Sequence, residues 1–317
     1  MRNTPARFIL IALAFTIFLI PAFAIRSATP DWPAFYAAAK LAPFGSAKLY
    51  SFAELHRITA TFENPAFVWA FVRPPYYALL LFPLGLLSPA AAFLVWQLAN
   101  MLALIAFQLV TWPSRLGVFV ALVCAPLWVS FRQGQDMPVL LLIIGFTTVL
   151  LRRDRPTAAG VVLSLCAIKL HLLLLIPIFL LARRAWRMTL GLCAGSAILT
   201  FACFAFYGRH WLRDYYACVV ENQRHLHTSS LFTFVPWPWG TIALCAALAA
   251  ACYLVCRSVR NVETAFTVSL VLSLLAAPRL YAYDAAIALP ALLVILRSGS
   301  ETRAPVTNDA APALTHA

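Results

Sequence analysis

Carboxylates are scarce in this chain: 11 Asp and Glu stand among 317 residues, and charged side chains of every kind make up only 11%. A soluble domain needs far more charge than that to cover its surface. With 63% hydrophobic residues and a mean hydropathy of +0.85, the sequence predicts an integral membrane protein. A disulfide framework is lacking as well. Cys124, Cys166, Cys193, Cys203, Cys245, Cys252 and Cys256 fall inside apolar runs, and only Cys218 lies in a loop. Cys252 and Cys256 share a helix face, yet no His or acid stands at ligand spacing, so they read as packing residues rather than a metal site. Nucleic-acid binding is excluded by distribution: the net charge is +13, but Arg and Lys occur in short clusters between apolar runs, the pattern of cytoplasmic loops.

What is present is a series of apolar runs that the Arg clusters orient. The run 7–25 has a basic start like a signal peptide, but its apolar part matches the roughly 20 residues a span needs and no small-residue cleavage pattern follows it. It is taken as the first span. Further spans are expected at 90–110, 116–131, 136–151, 156–168, 170–182, 187–207, 240–257, 263–277 and 283–297, which makes ten with both termini cytoplasmic. The stretch PTAAGVVLSLCAIKLHLLLLIPIFLLARR has Arg clusters at both ends, so it must leave and return on one side, as a hairpin of two half-length helices with Lys169 and His171 at its tip. Residues 76–88 are too short to cross and are expected as an interfacial or re-entrant helix.

This threading gathers polar residues on the outer side: Asp31, Arg73, Arg132, Gln133, Gln135, Asp136, Lys169, His171, His225, His227, Arg279, Tyr281, Tyr283 and Asp284. Asp31 stands out among them, because it follows the first span and opens an aromatic, amphipathic stretch, DWPAFYAAAKLAPFGSAKLY. A carboxylate partly buried at a membrane face gains a pKa suited to taking a proton from a hydroxyl.

Several short motifs, in order, resemble the GT-C class of membrane glycosyltransferases, and most specifically glycosyltransferase family 87, the polyprenol-phosphate-mannose-dependent mannosyltransferase-like enzymes. They are Asp31-Trp32 with Phe35, Tyr36, Gly45 and Leu49-Tyr50; the Arg73-Pro74-Pro75 step; Gly134-Gln135 before a span; Lys169 in its hairpin; and Tyr283-Asp284 before the last span. The resemblance covers most of the chain. It implies an all-α polytopic GT-C-like fold: one transmembrane glycosyltransferase domain over 1–297, with a large outer loop at 26–75 carrying interfacial helices, a second at 208–239, and a disordered tail at 298–317. It also implies transfer of a hexose, expected to be mannose, from a polyprenyl-phosphate sugar to a hydroxyl of a glycolipid or polysaccharide, with inversion. Asp31 matches the position of the family's catalytic base. The leaving phosphate calls for fixed cations, for which Lys169, Arg279 and Arg132 are candidates. Tyr36, Arg73, Gln135, His171, Tyr283 and Asp284 are weaker candidates for substrate contact. A lipid-phosphate donor accords with the lack of a Gly-rich phosphate cradle and of an acidic metal pair, so no metal and no cofactor are expected. The expected setting is a bacterial inner membrane, with the site facing the periplasm or exterior, and the partners are the lipid-linked donor, the acceptor and membrane lipids.

Plainer readings stand beside these. Asp31 is also a good N-cap for a short interfacial helix; Lys169 reads equally as a snorkelling residue; Arg132 as an interfacial anchor; and Asp284 as a cap or a partner of Arg279. His225 and His227, with Glu221 upstream, make a weak metal motif and read better as solvated loop residues. Trp237 and Trp239 fit an interfacial aromatic belt or a sugar-stacking surface. The competing functions are a transporter, which an internal repeat would favour and none is seen, and a non-catalytic lipid-binding scaffold subunit.

Overall fold

The computed structural model describes residues 31–60, 62, 70–225, 230–235 and 238–301; among these the regular structure is all helical, with no β-strand. The expected first span at 7–25 lies outside the described residues, as do His227, Trp237 and 302–317.

Residues 32–59 form short helices: α1 (Trp32–Leu41), a 3-10 turn (Ala42–Phe44), α2 (Ser46–Leu49) and α3 (Phe52–Thr59), which Ser51 caps by accepting from the Glu54 N–H at 3.4 Å. The sequence leads one to expect α1 at an interface, but every residue of it except Lys40 is buried. Two features of its sequence draw it inside. Its alanines present a flat face to α4 (Pro75–Gly85), and the approach is so close that a Cβ on Gly85 would lie 2.7 Å from the Ala39 carbonyl carbon. Its aromatic residues fill the other side, Trp32 against Phe93 and Trp96, and Phe35 against Phe71 and Tyr77.

The helices that follow are α5 (Pro89–Thr111), α6 (Arg115–Leu122), α7 (Ala125–Gln133), α8 (Met137–Arg152), α9 (Pro156–Ser164), α10 (Ile176–Ala182), α11 (Trp186–Tyr207), α12 (Trp211–His225), α13 (Trp239–Ser258), α14 (Val262–Leu275) and α15 (Leu289–Glu301). Four stretches, Pro89–Thr111, Pro156–Leu173, Trp186–Tyr207 and Trp239–Ser258, are long and apolar enough to cross a bilayer, and α6 with α7 makes up to five. The chain is a multi-pass membrane protein. Large apolar side chains point outward where lipid would lie, with Phe201 75% and Trp239 78% exposed.

The ten full spans expected from the sequence are not what these helices show. The run 116–131 is two helices bent by 56°, because Pro126 at the start of α7 cannot continue α6. The last run begins as a 3-10 segment, Ala282–Ala288, and becomes α-helical only at Leu289. It continues to Glu301, so the first residues of the expected tail are helical. Between α9 and α10 lies a 3-10 segment, Leu165–Leu173, interrupted at Lys169 (φ −134°, ψ 62°). The start of α9 and the end of α10 lie at the same end of the bundle. A Cβ on Gly160 would lie 2.0 Å from the Met188 carbonyl oxygen and one on Gly191 equally close to that of Thr157, while Arg183, just before α11, donates to the Cys256, Val259 and Arg260 carbonyls.

At that same end Glu263, 4% exposed, pairs with Arg297 at 2.6 Å and Arg152 at 3.5 Å, tying together α8, α14 and α15. Asp136, Lys169 and Asp284 are gathered at the opposite end.

Candidate active site

The site is set by a turn that only glycine can make. α7 ends in a left-handed Gly134 (φ 70°, ψ 28°), whose N–H bonds the Phe131 carbonyl at 3.1 Å while the Gln135 N–H bonds that of Ser130 at 2.9 Å, the Schellman closure of a helix. A Cβ at Gly134 would also lie 2.8 Å from the Trp32 Cβ. Trp96 Nε1 donates to the Gly134 carbonyl at 2.8 Å and Gln97 Nε2 to that of Phe131 at 2.7 Å, so α5 anchors the turn. Gln135 and Asp136 are thereby aimed inward. Asp136 stands at the N-cap of α8 without capping it, its carboxylate turned to cations.

Those cations come from two breaks in helical structure. Arg73 precedes Pro74 and Pro75, which start α4; its carbonyl accepts from Tyr50 Oη at 2.8 Å, and its guanidinium lies 3.5 Å from Asp136, 3.3 Å from Gln135 Oε1 and over the Phe35 ring. Lys169 sits at the 3-10 break, its Nζ 3.1 Å from Asp284 Oδ1, 3.4 Å from Asp136 Oδ1, 3.4 Å from Met137 Sδ and 4.5 Å from the centre of the Tyr283 ring. Asp284 Oδ2 accepts from the Tyr281 N–H at 3.1 Å and lies 3.7 Å from His171 Nε2. Tyr281 and Tyr283 stack at 5.2 Å.

Buried charges are tolerated only when paired and hydrogen-bonded. Arg73 and Lys169 against Asp136 and Asp284 balance to zero, all four buried.

Asp31 stands differently. It is half-buried, its N–H donates to the Gln133 carbonyl at 3.3 Å, and its carboxylate makes no capping bond to α1, so the capping role open to it in sequence is not the one it takes. Burial pushes its carboxyl above the ordinary carboxylate value, opposed by a hydrogen bond from Gln135 and by the charges of Lys169 and Arg73. A carboxylate outside the ion pairs and raised in this way is suited to accept a proton.

Of the residues singled out in sequence, the structure brings together Asp31, Arg73, Gln135, Lys169, His171, Tyr283 and Asp284. Lys169 does not snorkel; it is 2% exposed. Asp284 pairs with Lys169 and His171 rather than with Arg279, which is half-buried and near Tyr281. Arg132 lies exposed on the last turn of α7, and the buried Tyr36 spends its hydroxyl on the Leu87 carbonyl at 2.9 Å. Cys252 and Cys256, with sulfurs 3.9 Å apart, donate to backbone carbonyls in the packing of α10, α13 and α14. Among the described residues no group of three or more His, Cys, Asp or Glu is placed to hold a metal ion. Asp136 joins the site although the sequence motifs do not single it out. The available signal was charge balance, since a buried Lys169 demands carboxylates and few exist.

Comparison with known families matches residues 71–296 to glycosyltransferase family 87. No curated protein and no solved structure matches the chain. The matched stretch holds Arg73, Gln135, Asp136, Lys169, His171, Tyr283 and Asp284, and begins after Asp31. That stretch is well over half of the sequence, and it contains the whole balanced charge cluster; the chain belongs to glycosyltransferase family 87 and is a membrane transferase that moves a sugar from a donor to an acceptor.

Proposed function

We propose that this enzyme takes a hexose, with mannose the first candidate, from a polyprenyl-phosphate donor and passes it with inversion to an acceptor hydroxyl at the outer membrane face. One observation carries the assignment of Asp31 as base: of the three carboxylates grouped around Lys169 and Arg73 it alone is outside the balanced ion pairs and belongs to a residue that is not fully buried. Its carboxylate takes the hydroxyl proton, the acceptor oxygen bonds to the anomeric carbon, and the bond from that carbon to the phosphate oxygen breaks, releasing polyprenyl phosphate.

The leaving phosphate needs positive charge that the cluster, neutral in sum, does not have to spare. Lys169 is engaged by Asp136 and Asp284 and acts by orienting them, which leaves Arg279, half-buried beside Tyr281, as the cation for direct phosphate contact. The exposed Arg132 suits attraction of an anionic headgroup toward the site. The stacked Tyr281 and Tyr283 offer an aromatic wall beside Asp31 for a sugar ring. The exterior placement rests on the Arg-rich loops at the far end, where Arg152, Arg183 and Arg297 lie.

The test is transfer of labelled mannose from polyprenyl-phosphate-mannose to a membrane lipid extract, by wild type and by Asp31→Asn at matched folding and abundance. We expect the variant to lose about a hundredfold or more, the contribution of a general base. Equal transfer by the variant would move the base elsewhere, and no transfer by wild type would rule out this donor.

A further inference from the structure

Lys169 and His171 stand two residues apart, a spacing at which helical side chains point to different sides. The break at Lys169 (φ −134°, ψ 62°) brings both onto one carboxylate: Asp284 Oδ1 lies 3.1 Å from Lys169 Nζ, and Oδ2 lies 3.7 Å from His171 Nε2. The buried ionic chain thus runs Arg73, Asp136, Lys169, Asp284 and ends on His171. Exposure singles out that end. The side chains of Asp136, Lys169 and Asp284 are at most 1% open and that of Arg73 9%, whereas that of His171 is 28% open. Nε2 is itself buried against Asp284, so the open part of the side chain is the rest of the ring, where Nδ1 lies.

We propose that His171 is the titratable contact for the donor's phosphate, its protonated ring adding at the open end of the chain the positive charge that the balanced cluster lacks. This rests on the reading of a polyprenyl-phosphate donor. The Asp284 carboxylate selects the tautomer with its proton on Nε2, so a neutral ring presents a lone pair at Nδ1 and repels a phosphate oxygen. The protonated ring presents an N–H and a full charge instead. With the other four charges summing to zero, protonation leaves the group with one net positive charge, next to Tyr281, whose N–H shares Asp284 Oδ2 and beside which Arg279 lies. Arg279 supplies a charge at every pH, and His171 one that comes and goes. The ionisable groups facing His171 are Asp284 on the last segment, Lys169 on its own and Arg73 ahead of α4, with Asp136 behind Lys169. α11 and α14 also pack on this segment; their charged residues Arg187 and Glu263 lie at the other end, and Cys203 and Tyr207, at this end of α11, are uncharged below about pH 8.

The test measures binding rather than turnover: calorimetric titration of geranyl phosphate, a two-isoprene form of the released carrier, into wild type and His171→Gln in phosphate-free detergent. We expect wild type to bind about tenfold more tightly at about pH 5.5, the size of a charged hydrogen bond, and the two to converge by about pH 8, where a histidine of ordinary value has lost its proton. The second ionisation of the phosphate falls in the same range but is common to both titrations, so the ratio of affinities reports the ring. Equal affinity at both pH values, or the same loss at both, the mark of a merely structural role, would overturn the proposal. Inorganic phosphate binding as tightly as geranyl phosphate would reassign the site to free phosphate and overturn it likewise. No binding of geranyl phosphate to wild type at either pH would sink the lipid-phosphate donor, and this contact with it. Should His171→Gln not fold, His171→Asn is expected to give the same pH-dependent ratio.

Discussion

Lys169 sits 2% exposed between two carboxylates with no solvent access, 3.1 Å from Asp284 and 3.4 Å from Asp136. Removing one member of a buried ionic group costs more than the group contributes, because its partners stay behind uncompensated. Lys169→Met is therefore expected to lower unfolding stability by about 3–5 kcal/mol, read by denaturant titration in mixed micelles. Lys169→Met combined with Asp284→Asn should recover part of that loss, and an unaltered midpoint in the single variant would contradict the pairing. The sequence marked Lys169 as unusual, since a lone cation in a long apolar run must line a protein interior rather than lipid. It could not name the partners. Asp284 stands 115 positions away, and pairing over that separation depends on how helices pack. Asp31 shows the same division: its chemistry was legible, whereas its lack of a capping bond and its N–H bond to the Gln133 carbonyl depend on a turn from another part of the chain.

Among the elements, the hairpin of α9 and α10 was readable because Arg clusters at both ends forbid a single crossing. What could not be read was where its arms go. α9 packs on α11 through facing glycines, and a Cβ at Gly160 would lie 2.0 Å from the Met188 carbonyl oxygen. Backbone cannot yield as a flexible side chain does, so Gly160→Ala is expected to cost about 1–3 kcal/mol by overpacking, visible as a lower melting temperature in detergent. A surface substitution such as Val161→Ala, on an exposed position of the same helix, should leave it unchanged. Equal melting of the two variants would show that the helices are not in this contact. The bend between α6 and α7 follows from Pro126, a local signal. The burial of α1 does not: its short aromatic and alanine-rich sequence suits an interface as well as a core, and only the close fit of α4 decides.

At the scale of the molecule, two charge clusters mark opposite ends of the bundle, Glu263 with Arg152 and Arg297 at one, and Asp136, Lys169 and Asp284 with Arg73 at the other. The Arg-rich loops accompany the first cluster, so the second is expected outside. In a background freed of native cysteines, Arg132→Cys should react with a membrane-impermeant maleimide added to intact cells, and Arg155→Cys only after the membrane is opened. The reverse pattern would place the site in the cytoplasm and rule out an exterior donor. Composition and the placement of Arg by themselves determine that this chain is a multi-pass membrane protein and which ends of its runs share a side, because the cost of moving charge and unpaired backbone into lipid acts on each segment independently. Tertiary structure alone decided that Arg73, Asp136, Lys169 and Asp284 form one balanced cluster with Asp31 left open beside it. The reason is that a buried charge fixes how many partners it needs but not which, and the choice is made by helix ends brought together from distant parts of the chain.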